Sequence, residues 1–155
     1  MDYLPYLLAL AIGAIAGLRA LTAPAAICWA AYLGWFSLAG TPLAFMGSVW
    51  AAGAFALLAL LELVGDQLPS TPSRKVPVQF GARLAMGALC GAAIGASRDM
   101  LVPGLVAGIV GAVIGTYAGA AFRAALTRAF GRDLPAALIE DAIAILGALL
   151  IVCRL

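Results

Sequence analysis

The chain has 155 residues, 65% of them hydrophobic and only 10% charged, with a mean hydropathy of +1.11. A soluble domain of this length carries about 25% charge, so composition excludes a water-facing globular surface, a disordered chain, a nucleic-acid binder and a secreted disulfide scaffold. An integral membrane protein is the class left, and with no His in the chain imidazole bases, Ser-His triads and the usual zinc and haem ligands are gone as well.

The only early charge is Asp2, where a cleavable signal needs a basic stretch, so the apolar run from Tyr3 is expected to be retained. A membrane span takes about 20 apolar residues. Taken in chain order, six segments fit or nearly fit: Tyr3–Leu18, Thr22–Ala39, Leu43–Val64, Phe80–Ala96, Leu101–Phe122 and Leu134–Cys153. The second is short, and read as a re-entrant half-helix it leaves five spans. Between the third and fourth lies the one clearly polar stretch, 66–77, whose prolines mark a loop. Each segment is continuously apolar, without the alternation of a barrel strand. The expected fold is therefore an all-α polytopic helical bundle of six membrane segments, one transmembrane domain over 1–155.

Orientation follows from the cations. Arg19, Arg74, Lys75, Arg83, Arg123, Arg128 and Arg132 fall in the turns after segments one, three and five, against Arg98 and Arg154 on the other face. That bias places the first group in the cytoplasm of a bacterial inner membrane and both termini outside. Tyr3, Tyr6, Tyr32, Trp35, Phe36 and Trp50 would then sit at the outer interface.

Glycines recur at four-residue spacing: Gly13 and Gly17; Gly87, Gly91 and Gly95; Gly111, Gly115 and Gly119. Small residues on one helix face let backbones approach. The seams predict close packing within the chain or, as an alternative, a homodimer. Gly13-x3-Gly17-x-Arg19-x4-Pro24 also echoes Gly91-x3-Gly95-x2-Arg98-x4-Pro103. That suggests an inverted repeat of 1–75 and 76–155, a pattern found in transporters. Glu62 late in its segment and Glu140 early in its own argue against the match.

Four acids need an explanation at membrane depth: Glu62, Asp66, Glu140 and Asp141. Glu62 and Asp66 are four residues apart and share a helix face. A carboxylate in the bilayer costs a few kcal/mol unless paired or hydrated. The expected arrangement is an inner-leaflet cluster in which Arg19, Arg83 and Arg123 pair the acids. Glu62, Asp66, Glu140, Asp141 and Arg19 line a ligand or ion site, with Arg74 and Arg83 at its mouth. The bland alternative is helix-to-helix glue. Thr71, Ser73, Arg74 and Lys75 add hydroxyls and cations suited to a headgroup phosphate.

The run Glu62-Leu-Val-Gly-Asp66-Gln-Leu-Pro69, with Thr71-Pro-Ser-Arg74, Gly17-Leu-Arg19 ahead of Pro24, and Leu138-Ile-Glu-Asp-Ala142, resembles an uncharacterised bacterial membrane-protein family known only as a domain of unknown function. Gly65 replaces a small Ala in its most specific run. The resemblance spans nearly the whole chain. It implies an all-helical inner-membrane fold and brings no activity, substrate or catalytic residue.

Enzyme readings are weak. Gly119-Ala-Ala-Phe122 matches part of a lipoprotein signal-peptidase motif, but that motif needs an Asn and this chain has none. Glu62-x3-Asp66 with Glu140-Asp141 could hold Mg²⁺ on a diphosphate only if geometry brought the pairs together. Cys28, Cys90 and Cys153 form no CxxC. The expectation is a non-enzyme without cofactors or nucleic-acid partners, in contact with membrane lipids. It would be a transporter or channel for a small ion or solute; the alternative is a non-catalytic lipid-binding or scaffolding module. A hydrated crevice reaching the acids favours the first, and acids sealed in ion pairs favour the second.

Overall fold

The structure, a computed structural model, describes residues 3–66 and 76–155. Among them are six α-helices and no strand: α1 Leu4–Leu18, α2 Thr22–Tyr32, α3 Val49–Gly65, α4 Pro77–Ala96, α5 Leu101–Phe130 and α6 Asp133–Val152. α4, α5 and α6 are long and apolar enough to cross a membrane; α1 and α3 are apolar but shorter.

Three boundaries differ from the sequence expectation by more than a helical turn, each for a local reason. α2 stops at Tyr32 instead of running to Ala39. Gly34 adopts φ +77, and the Gly34 and Trp35 amides donate back to the Ala31 and Ala30 carbonyls at 3.2 and 2.9 Å. This is a Schellman stop, which needs a left-handed residue that glycine supplies without strain. α2 has 11 residues, about 16 Å, roughly half the hydrocarbon thickness. α3 begins at Val49, not Leu43, because the Ser48 side chain caps it by accepting from the Ala51 amide at 3.2 Å; the preceding Ala44–Gly47 forms a 3₁₀ turn. α5 runs past Phe122 to Phe130 through Ala, Leu and Arg, all strong helix formers, until Gly131 turns left-handed at φ 66.

Successive helices alternate in direction, which gives the molecule two ends. At one end Leu4, Pro5 and Leu8 of α1 share a crevice with Ile94 and Ser97 of α4 and with Leu155, while Trp35 shares a 200 Å³ cavity with Val152, Cys153 and Leu155. At the other end Arg19 meets Asp66 and Asp141. Small residues pack inside: the core includes Ala9, Ala16, Ala23, Ala93, Ala144 and Ala148. Large apolar side chains face out, among them Leu57, Leu60, Leu61, Val102, Leu146 and Leu150. Burying the small residues and exposing the large ones is the reverse of a water-soluble core and suits lipid surroundings. Tyr3, Tyr6, Tyr32, Trp35 and Trp50 are exposed, Trp50 by 84%. Phe36, expected among them, is instead buried in the core.

α1, α4 and α5 form a tight triad. A Cβ on Gly108 would overlap the Gly87 backbone, one on Gly111 the Leu10 carbonyl, one on Gly13 the Gly108 backbone, and one on Gly91 the Gly104 carbonyl. Backbone cannot step aside as a rotamer can. Gly108→Val should therefore cost well beyond the roughly 1–3 kcal/mol of ordinary overpacking, read as lost folded yield in mild detergent. Gly53→Val, on an open face of α3, should be tolerated. The two halves differ in build: α1, α2 and α3 have 15, 11 and 17 residues, against 20, 30 and 20 for α4, α5 and α6. Pro24 and Pro103 both sit in the first turn of their helices, α2 and α5. The two arginines of the echo part company, Arg19 wholly buried and Arg98 exposed.

Candidate functional site: a charged cluster around the α1–α2 break

The cluster is built on a break in the chain. α1 ends at Leu18, Arg19 is extended at φ -137, ψ 111, and α2 starts at Thr22. A helix end leaves its last carbonyls and first amides without intrahelical partners. Here other helices supply those partners. The Glu62 carboxylate of α3 accepts from the amides of Ala20 and Leu21, each at 2.8 Å. Its charge also sits at the positive end of α2, where an anion is favoured. From α4, Arg83 donates to the Gly17 and Leu18 carbonyls at 2.8 and 2.5 Å, a cation at the negative end of α1. Thr116 of α5 donates to the Ala112 carbonyl at 2.8 Å and reaches Gly17 O at 3.4 Å.

Arg19 itself is 0% exposed. One guanidinium nitrogen donates to Asp66, just past α3, and the other to Asp141 of α6. A buried guanidinium held by two carboxylates is compensated in charge and hydrogen bonding, the condition for keeping a charge inside. Its Nε and the Thr22 hydroxyl are buried with no partner among the described residues.

Around this core lies a second ring. Arg123 of α5 donates to both oxygens of Asp133, at 3.0 and 2.6 Å, and to the Asp66 backbone carbonyl at 3.3 Å. It lies 3.5 Å from Glu140. Thr127 also donates to Asp133, at 3.2 Å. Exposure grades along this line: the Asp133 side chain is 57% exposed and Glu140 only 1%. From Asp133 to Asp141 is eight residues of α6, about 12 Å of depth.

The structure brings together Arg19, Glu62, Asp66, Arg83, Glu140 and Asp141 at one end of the bundle. Arg83 is the correction. It was expected at a mouth, and it is buried because the end of α1 offers it two carbonyls. Arg74 lies outside the described residues, as do Thr71, Ser73 and Lys75. Asp133, bound by Arg123, is the acid of the cluster that the sequence expectation does not include. Its position at the first residue of α6, where acids are favoured, was the available clue. The acids do not converge on one another: Asp66 and Asp141 point at Arg19, and Glu62 at amides. Among the described residues no three His, Cys, Asp or Glu side chains gather as a metal site.

The chain matches no curated protein and no solved structure. A family profile does match, over residues 6–153, and the segments that form the cluster all fall within that stretch. The chain belongs to the family described as a domain of unknown function, DUF4126.

Proposed function

We propose that this is a multi-pass protein of the bacterial inner membrane, its charged end facing the cytoplasm, and that the cluster is the closed gate of a pathway for a small ion or solute. One observation carries the reading: Arg19, fully buried at the α1–α2 break, is shared by carboxylates that belong to two different helical segments. Parting Asp66 from Asp141 would free it, and the graded line of charges leads from there to the open end at Asp133. Broken helices with capped ends near the substrate path are a transporter device, and charges inside a membrane protein mark ion or proton routes by default.

A second reading has its own support. The acids of the cluster already hold partners, and Glu62 does the work of a helix cap. That fits a non-catalytic lipid-binding or scaffolding module in which the cluster only holds the helices together. Proteoliposomes loaded with a pH-sensitive dye and given a potassium diffusion potential separate the two. Proton flux above that of empty vesicles, abolished in Asp141→Asn while the variant stays folded, supports the gate. No flux of protons, sodium or potassium at any potential supports the module.

Orientation has a separate test. In a background free of the three native cysteines, Pro72→Cys should resist a membrane-impermeant maleimide added from outside, while Trp35→Cys should react. The reverse pattern inverts the topology.

A further inference from the structure

We propose that the α5–α6 turn, through Arg128 and Arg132, is a docking surface for anionic phospholipid headgroups. The proposal rests on the membrane-spanning reading above and is independent of transport.

Length is the first observation. α5 has 30 residues, about 45 Å, against roughly 30 Å of hydrocarbon. The excess lies at the charged end. At the far end α5 starts level with its neighbours, since the Met100 amide donates to the Gly95 carbonyl and Arg98 reaches the Leu155 carbonyl. At the charged end, Arg123 already reaches the Asp66 carbonyl, just past α3, and Thr127 is level with Asp133, the first residue of α6. Residues 124–130 run on beyond the end of α3 and, with 131–132, form a turn at the headgroup layer.

Charge is the second. Arg19, Arg83 and Arg123 already hold partners within the cluster. Arg128 and Arg132 are exposed and make no ion pair or hydrogen bond with any described residue. The nearest acid, Asp133, is turned towards Arg123 and Thr127. The same stretch exposes Phe122, Phe130 and Leu134. Aromatic and aliphatic side chains flanking cations are the composition of a membrane interface, and a guanidinium offers paired donors to a phosphate. The acidic neighbour is already neutralised, so the exposed charge on this turn is positive and complements an anionic lipid.

The test is native mass spectrometry of the full chain in neutral detergent, titrated with phosphatidylglycerol and, separately, phosphatidylcholine. Wild type should retain phosphatidylglycerol in preference. R128Q and R132Q should each weaken that binding about fivefold, and the double variant about 30-fold, following about 1 kcal/mol per arginine at an anionic surface. Thermal stability without added lipid should stay unchanged. R98Q/R154Q, at the far end, should bind as wild type. The proposal is overturned if the double variant keeps wild-type lipid affinity, if phosphatidylcholine binds equally well, or if inorganic phosphate at equal concentration displaces the lipid. If the double variant fails to fold, the two single variants decide by the same fivefold criterion. A protein with no ion flux that still selects phosphatidylglycerol leaves this surface standing and removes only the gate.

Discussion

Arg19→Met is expected to destabilise the folded chain by about 3–5 kcal/mol, the cost of removing one partner from a buried ion pair. The thioether fills part of the volume, but it leaves Asp66 and Asp141 without the cation they share. Thermal unfolding in detergent, followed by circular dichroism, measures the loss. The triple variant Arg19→Met, Asp66→Asn, Asp141→Asn removes the whole charge set and should recover much of it, because a buried triad replaced as a unit is often neutral in stability. The recovery also separates the two functional readings. If the cluster is only glue, the triple variant behaves as wild type in vesicles. If Arg19 closes a pathway, the triple variant is folded and leaks. A single Arg19→Met variant as stable as wild type would sink the cluster geometry itself.

Glu62→Gln should also destabilise, by about 1–3 kcal/mol, although the amide nearly keeps the carboxylate's shape. Both carboxylate oxygens accept, one from Ala20 and one from Leu21. Gln can offer only its carbonyl oxygen, so its NH₂ must face the other backbone N–H. Two donors then oppose each other in a partly buried setting, which costs part or all of the desolvation of one unsatisfied group. The substitution also removes the anion from the N-terminus of α2. Glu62→Gln is therefore no neutral probe of charge. Urea titration in micelles should show the midpoint falling relative to wild type, and Glu62→Ala, which strands both amides, should fall further. An unchanged midpoint for Glu62→Gln means that the carboxylate does not cap α2.

Much of this was legible in the residues. An arginine closing one apolar segment and opening another cannot stay alone in lipid, so pairing with one of Glu62, Asp66, Glu140 or Asp141 follows from sequence and solvation cost; that Asp66 and Asp141 share it comes from the fold. The spacing of Glu62 and Asp66 put both on one helix face, and the fold sets that face against the α1–α2 break. What could not be read is that Glu62 and Arg83 bind backbone. Carbonyls and amides freed at a helix end carry no side-chain signature, and their position depends on where Arg19 leaves the helical conformation. Other misses had signals available: Ser48 as a cap, Gly34 as a stop to α2, and Gly131, which let α5 run eight residues past Phe122. Hydropathy windows passed over these because capping is a property of single residues and apolarity is a property of long stretches.

The borrowed caps have a consequence for synthesis. As α1 and α2 leave the ribosome, the Ala20 and Leu21 amides wait for Glu62, about 40 residues on, and the Gly17 and Leu18 carbonyls for Arg83, about 65 residues on. Arg19 receives its second carboxylate only from Asp141, 122 positions downstream. On the membrane-spanning reading proposed above, the α1–α2 pair enters the bilayer unfinished, with the Arg19 charge half-compensated until α6 arrives. A nascent chain released before α6 keeps Arg19 with one acid in place of two, so the environment of this one side chain registers whether α6 has been made.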